Sequence, residues 1–168
     1  MAEQAVKILK LDVPKLIKLL NVALAEEWLA YYQYWIGARV MEGPMRYEVA
    51  SELLDHANEE LKHAEMVAER ILQLEGTPLI DPKEWFDHAQ CKYEAPKDTY
   101  INAILTQNLN SERCAINRYQ EIADMTNGTD YATHEMAIAI LEEEIEHEHD
   151  LFDYLKDLKV MKDKFMKP

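Results

Sequence analysis

The stretch ELKHAE, residues 60–65, places Glu60 and His63 one turn apart on the same face of a helix. Apolar residues recur at helical spacing on both sides of this pair and define the face that a globular fold buries. This stripe consists of Val49, Leu53, Ala57, Ala64, Val67, Ile71 and Leu74. The sequence therefore predicts a long helix that carries an ionisable pair into its own core.

Two further Glu-x-x-His pairs occur near the carboxyl end, and their helix faces separate them. Glu144 and His147 continue an apolar stripe, so they too are predicted to interrupt a core. That stripe is formed by Met136, Ile140, Leu151, Leu155 and Leu158. Glu146 and His149 instead lie among acidic residues, and we interpret them as solvated surface.

Two single glutamates complete the pattern. Glu112 and Glu27 each lie on the apolar stripe of a further helix, although the helix around Glu27 is apolar nearly all round and its period does not exclude Glu26. Glu27 precedes Glu60 by 33 residues, and Glu112 precedes Glu144 by 32. Each half of the chain thus contributes one Glu followed by one Glu-x-x-His, as in a quasi-repeat.

Glycine and proline positions divide the chain into four long helical segments. The predicted helices span about residues 13–40, 44–75, 98–126 and 130–159, with Asp12 and Asp98 as N-caps and Gly76 as a C-cap. Residues 78–97 hold three of the six prolines and form a crossover with one short helical turn at about residues 83–90. We expect one domain, residues 1–168, that folds as an all-α four-helix bundle with its long crossover between the second and third helices.

The acidic groups on these stripes have no basic partner on the same stripes. A buried, unpaired carboxylate costs several kcal/mol, so a bundle that holds four of them needs a neutralising group. Two divalent cations would balance four carboxylates, and two imidazoles would give each ion one nitrogen ligand. We predict a dimetal site formed by Glu27, Glu60, His63, Glu112, Glu144 and His147. The alternative for any one of them alone is a core residue satisfied by hydrogen bonds.

We assign no metal-binding or redox function to the remaining aromatic residues and histidines. We interpret the aromatic cluster of Tyr31, Tyr32, Tyr34 and Trp35 as core packing rather than as electron donors to a metal. The remaining histidines, His56, His88 and His134, belong to no recognisable constellation.

The charge balance argues against nucleic acid and membranes as partners. With 32 acidic and 18 basic side chains the net charge is -14, which repels phosphates and anionic lipid and favours cations. The first ten residues lack the apolar core of a secretory signal, and no 18-residue uncharged span occurs. We therefore expect a cytoplasmic protein with no membrane contact, and DNA binding is not expected.

The ligand pattern resembles that of ferritin-like di-iron proteins. The segment LNVALAEEWLA, residues 20–30, is similar to the first helix of bacterioferritins, and residues 60–65 and 69–76 resemble their second helix. The resemblance spans nearly the whole chain. It implies two iron ions per subunit, with Glu27 rather than Glu26 at a terminal ligand position and Glu60 and Glu144 at bridging positions.

Departures from the bacterioferritin pattern narrow the family. Leu61 stands where bacterioferritins carry a haem-ligating methionine, so no haem is expected by that route. Only nine residues follow Lys159, so no fifth helix is expected, and the chain resembles the smaller twelve-subunit cages. No Cys-x-x-Cys pair is present, which disfavours the rubrerythrins.

Cys91 and Cys114 are separated by 22 residues, which is the spacing of the Dps-like group called thioferritins. The resemblance implies a redox-active cysteine pair. Cys114 lies about 200 degrees round the helix from Glu112, so it points away from a metal that Glu112 binds. The crossover could pack over that outer face and bring the two sulfurs together as a reversible dithiol. The alternative is two unrelated buried cysteines, since a permanent bridge would be unusual in a reducing cytosol.

The resemblance implies a ferroxidase and iron-storage protein that oxidises Fe(II) with hydrogen peroxide or dioxygen and assembles into a 12-subunit cage. In this hypothesis Glu27 and Glu112 are terminal ligands, Glu60 and Glu144 bridge the ions, and His63 and His147 supply the nitrogens. One alternative is a dimetal peroxidase of the rubrerythrin or manganese-catalase type, which stores nothing. Another is a DNA-binding or structural helical protein.

Overall fold

The computed structural model describes residues 3–165 and is built from four long helices. These are α2 (Val13–Val40), α3 (Arg46–Gln73), α5 (Ile101–Thr126) and α6 (Tyr131–Phe165), and two short helices, α1 (Glu3–Lys7) and α4 (Trp85–His88), lie outside them. α2 packs along α3 and α5 packs along α6, and the two hairpins meet through α2 with α5 and α3 with α6. The predicted all-α architecture is confirmed.

The sequence predicted four helices and no fifth, whereas residues 3–165 contain the short helices α1 and α4 in addition to the four long ones. The crossover contains a 3-10 turn at Pro82–Glu84 followed by α4, and α1 precedes the bundle. The crossover turn was predicted from the sequence, whereas α1 was not. The last helix also extends to Phe165, beyond the predicted end near Lys159, and residues 166–168 lie outside the described part.

Helix boundaries follow local capping. The Asp12 side chain accepts a hydrogen bond from the Lys15 amide at 3.0 Å and starts α2, as predicted. Asp98 does not cap α5, because Tyr100 occupies the N-cap position and Asp98 instead accepts a hydrogen bond from the Tyr100 amide. The left-handed residue after α3 is Glu75, at φ 62°, rather than Gly76.

Gly76 is required for a different reason from the one the sequence indicated. A Cβ atom at this position would lie 2.9 Å from Cγ2 of Ile17, so the turn after α3 can approach α2 only without a side chain. The Gly76 amide donates a hydrogen bond to the Ile71 carbonyl at 2.9 Å and closes the end of the helix. This glycine therefore fixes how closely the first hairpin closes.

The apolar core consists of two main clusters, one on each side of a polar layer. One cluster combines apolar residues from 16–24, 64–74, 119–123 and 137–141. The other combines Tyr34 and Met41 with apolar residues from 49–57, 101–109 and 151–158. On every long helix the predicted metal ligands lie between these two groups, so the packing holds the polar layer from both ends. None of the helices in residues 3–165 contains an apolar stretch of the length that a transmembrane span requires.

Candidate metal centre

All six side chains predicted to bind metal lie in the polar layer and are buried. None is more than 2% exposed, and Glu144 is completely enclosed. The apolar stripes of the sequence predicted this burial, because a residue in the middle of a stripe shares the face that packs inward. We define these six residues as the candidate metal centre: Glu27, Glu60, His63, Glu112, Glu144 and His147.

The six residues form two overlapping ligand groups. Glu27, Glu60, His63 and Glu144 form one, and Glu60, Glu112, Glu144 and His147 form the other, with one ligand atom from each residue inside 4.8 Å of the others in its group. Glu60 and Glu144 belong to both groups. The arrangement offers two adjacent cation positions that share two carboxylates.

The two histidines point the same ring nitrogen into the centre. His63 Nδ1 lies 3.4 Å from Glu27 Oε2, 3.5 Å from Glu60 Oε2 and 3.2 Å from Glu144 Oε1. His147 Nδ1 lies 3.6 to 3.7 Å from carboxylate oxygens of Glu60, Glu112 and Glu144. Each imidazole therefore faces three carboxylates.

Many inward-facing atoms of the centre lack a hydrogen-bond partner. These buried atoms are Glu27 Oε2, Glu60 Oε1, His63 Nδ1, Glu112 Oε2, both carboxylate oxygens of Glu144 and His147 Nδ1. Native folds rarely leave buried polar atoms unsatisfied, and a cation satisfies several acceptors at once. The donor set of oxygens and imidazole nitrogens suits iron, manganese or zinc, so the residues fit the predicted dimetal site.

The outer nitrogen of each histidine is held by a glutamate from the opposite hairpin. His63 Nε2 lies 2.7 Å from Glu143 Oε2, and His147 Nε2 lies 2.8 Å from Glu59 Oε2. Such partners orient a metal-binding imidazole and fix its tautomer. Neither contact was predicted from the sequence, although Glu59 and Glu143 each directly precede a glutamate that belongs to both ligand groups, and this doubled Glu in both halves was a visible signal.

Two tyrosines hold Glu27 and Glu112 in a reciprocal arrangement. Tyr34 of α2 donates a hydrogen bond to Glu112 of α5, and Tyr119 of α5 donates one to Glu27 of α2. Both rings are fully buried. The prediction that Tyr34 serves only for packing was incomplete, and the neighbouring Tyr32 and Trp35 are 46% and 36% exposed rather than in the core.

Glu26 and Glu27 have different partners. Glu26 forms an ion pair with Arg118, at 2.9 Å from Nε to Oε2, and accepts hydrogen bonds from the Gln90 and Cys91 amides of the crossover. Glu27 faces the ligand group that contains His63. Glu26 thus anchors the crossover, and of these two neighbours only Glu27 lies in a ligand group.

The electrostatics of the centre divide its carboxyls into two pairs. Burial and the neighbouring charges of Glu60 and Glu144 raise the pKa of Glu27 well above its usual value, and burial and Glu144 do the same to the pKa of Glu112. Burial opposes ionisation of Glu60 as well, but the facing imidazoles of His147 and His63 lower its pKa to about 2. Burial also disfavours the imidazolium form of His63, yet the facing carboxylates of Glu144, Glu27 and Glu60 raise its pKa. In the absence of metal, the centre offsets its negative charge with protons.

Cys91 and Cys114 form a disulfide, with their Cα atoms 5.7 Å apart. The bridge joins the crossover to α5, in the packing arrangement that the sequence analysis considered for a reversible dithiol. Both cysteines are partly buried, and Cys91 borders a small cavity that Glu27, Glu60 and Glu112 also line. The redox role of this pair stays a prediction.

The remaining candidates lie outside the centre. His149 is 72% exposed, consistent with the interpretation of the Glu146 pair as surface. His134 Nδ1 lies 2.9 Å from the Ala123 carbonyl oxygen, where a hydrogen bond can form. His56 is buried, and its ring stacks on that of His147 with centroids 4.0 Å apart, a contact that the sequence did not indicate.

Four long helices around two overlapping groups of glutamate and histidine define a protein of the ferritin-like class. The family model for the ferritin-like domain matches residues 17–161, and the chain therefore belongs to this family. The resemblance expected from the sequence is confirmed.

Within this family, the chain is similar to several individual proteins. A dodecameric thioferritin from Bacteroides fragilis, described as bacterioferritin-related, is 57% identical, with a TM-score of 0.97 over 98% of this chain and 99% of that one. The DNA protection during starvation protein of Pyrococcus furiosus is 39% identical over 140 residues, which are 82% of this chain and 75% of that protein. The structure of Dps from Thermosynechococcus elongatus, at 17% identity, covers 84% of this chain and 90% of that one with a TM-score of 0.81, which shows a common fold.

Proposed function

We propose that this protein is a ferroxidase that binds two Fe(II) ions at the candidate metal centre and oxidises them with hydrogen peroxide or dioxygen. The observation that carries the proposal is the pair of ligand groups that share Glu60 and Glu144 and leave most inward-facing atoms without a partner. Two divalent ions would balance the four carboxylates and satisfy those atoms. Membership of the ferritin-like family supports the same activity.

In this proposal each ligand has a distinct task. Glu27 and Glu112 hold one ion each, and Tyr119 and Tyr34 fix their second oxygens. Glu60 and Glu144 bridge the two ions, while His63 and His147 each supply one nitrogen. Two Fe(II) ions give up one electron each, and one peroxide takes both electrons and two protons to yield two water molecules. Because both electrons leave together, no hydroxyl radical needs to form.

Storage of the product is the second part of the proposal. The relative that is 57% identical over nearly the whole chain is described as dodecameric, and this chain would assemble in the same way. Twelve chains of 19.6 kDa would form a particle of about 235 kDa. A dimetal peroxidase that stores nothing would use the same six residues as a smaller oligomer, so light scattering separates the two functions.

Several finer points belong to the same proposal. The chain folds as one domain in which the four long helices alone form the bundle, while α1 precedes it and α4 lies in the crossover. No haem and no DNA take part. The protein works in the cytoplasm, where a disulfide such as Cys91–Cys114 is typically transient and redox-sensing.

The activity is tested with Glu60→Ala, which removes one shared ligand. We expect rapid Fe(II) oxidation to be lost while the circular dichroism spectrum stays helical, because the apolar clusters on either side of the centre remain. Glu146→Ala is the matched control, since this residue is an exposed glutamate in a Glu-x-x-His pair on α6. Equal oxidation rates in wild type and Glu60→Ala would overturn the proposal.

A further inference from the structure

A third group of metal-ligating side chains lies one helical turn from the candidate metal centre. It consists of Glu52 and His56 on α3 and Asp150 on α6, and one ligand atom from each lies within 4.8 Å of the other two. His56 precedes Glu60 by four residues, and Asp150 follows His147 by three. The group therefore continues the polar layer along the seam between α3 and α6.

His56 is the residue that distinguishes this group from a surface cluster of acids. Its side chain is 3% exposed, and its Nε2 lies 3.6 Å from Glu52 Oε1 and 3.8 Å from Asp150 Oδ2. Both separations are too long for a hydrogen bond. Its Nδ1 is also buried without a partner. A nearly enclosed imidazole is thus aimed between two carboxylates and is bonded to neither.

These separations suit a shared ion. Donor atoms that each lie about 2.1 Å from one metal ion are about 3.0 to 3.5 Å apart at ordinary coordination angles. The observed distances need to shorten by only a few tenths of an ångström, and Glu52 and Asp150 are about one-third exposed, which leaves their side chains free to move. Solvent water can fill the remaining coordination positions.

Charge and ligand type identify the class of ion. Two carboxylates and one neutral imidazole balance a single divalent cation without a spare charge. Calcium and magnesium prefer sites made only of oxygen, whereas a nitrogen ligand beside two carboxylates suits iron, manganese, cobalt or zinc.

We propose that Glu52, His56 and Asp150 bind one divalent transition-metal ion, separate from the candidate metal centre. The site stands on its own residues and does not depend on the proposed ferroxidase activity. Because the His56 ring stacks on that of His147, the proposed site directly neighbours the candidate metal centre.

The test uses crystals of the full chain soaked in Co(II), whose anomalous scattering locates each ion directly. We expect a peak between His56 Nε2 and the carboxylates of Glu52 and Asp150 in the wild type and its loss in E52Q/D150N. The control E65Q/D157N makes the same charge change on exposed residues of the same two helices and should keep the peak. Equilibrium dialysis should likewise show one Co(II) fewer per subunit in E52Q/D150N only.

Two results would overturn the proposal: no peak at this position in wild-type crystals, or an unchanged peak in E52Q/D150N. Since both double variants retain all six residues of the candidate metal centre, peaks at that centre are scored separately. If the third site fails, the anomalous map lacks the peak beside His56, whereas if the dimetal site fails, it lacks the peaks at the candidate metal centre.

Discussion

Glu59 of α3 holds His147 of α6, with 2.8 Å between Glu59 Oε2 and His147 Nε2, while the opposite nitrogen of the same ring faces the candidate metal centre. The contact crosses from one helical hairpin to the other. Glu143 of α6 repeats the relationship on His63 of α3. The two hairpins therefore orient each other's imidazoles.

Glu59→Ala should weaken metal binding without removing a ligand. A lost carboxylate partner frees the imidazole ring and typically costs about 10- to 100-fold in metal affinity. Glu143→Ala should have a similar effect through His63. Co(II) titration followed by absorbance measures the change, with Glu146→Ala as the exposed control. Wild-type affinity in both variants would show that the outer contacts do not position the histidines.

Glu26→Gln and Glu27→Gln should shift stability in different directions in the metal-free protein. Glu26→Gln leaves Arg118 with only the exposed Glu121 as a charge partner, and breaking its buried pair costs up to about 3 to 5 kcal/mol. Glu27→Gln replaces a carboxyl whose pKa is already raised by burial, so stability should stay the same or increase.

Urea unfolding of both variants without metal measures this contrast. Repeating the experiment with Co(II) provides the control, since Glu27→Gln should lose much of the stabilisation by metal that Glu26→Gln keeps. Equal destabilisation by the two substitutions would contradict the inference that Glu26 and Glu27 have different electrostatic partners.

Asp130→Asn should destabilise the fold at neutral pH and progressively less in acid. Burial would raise the pKa of Asp130, but hydrogen bonds from Thr133 and Arg70 lower it. Because the folded-state pKa is depressed, this contribution is complete above the unfolded pKa of about 3.9 and disappears as pH falls through the lower folded value. Thermal unfolding from pH 7 down to pH 2 should show the two proteins converging, and a constant difference would argue against the linkage.

The Cys91–Cys114 disulfide should stabilise the fold by constraining the unfolded chain. For a loop of 22 intervening residues the entropic effect is about 3 kcal/mol. A Cys91→Ser/Cys114→Ser variant should lose this amount in urea unfolding, and dithiothreitol should lower the wild type to the same level while leaving the variant unchanged. A variant as stable as the oxidised wild type would refute the effect.

The helical pattern and the burial of the six candidate ligands could be predicted because one property decides both. A side chain on an apolar stripe is buried whatever its chemistry. The sequence therefore indicated the burial of five residues that interrupt such stripes: Glu60, His63, Glu112, Glu144 and His147. The same rule failed to separate Glu26 from Glu27, since α2 is apolar on most of its surface. Only the position of Arg118 resolved that choice.

The residues that sequence reasoning missed act across helices. Glu59 and Glu143 are partly or largely exposed and lie off the apolar stripes. Their positions on the helix therefore did not indicate that each contacts a histidine of another helix. From its position on α2, Tyr34 was predicted to be a core-packing residue. The partner of its hydroxyl group, Glu112, lies 78 residues away in the sequence. His56 likewise depends on Asp150 from α6. Periodicity describes one helix at a time and carries no information about which residues meet.

Each of the two ligand groups draws on both halves of the chain: the group around His63 needs Glu144, and the group around His147 needs Glu60. Neither helical hairpin contains a complete ligand group by itself. Part of the free energy of metal binding would then serve as association energy between the halves. A protein cut within residues 77–81, ahead of the disulfide-bonded part of the crossover, would hold its two fragments together more tightly with metal than without it.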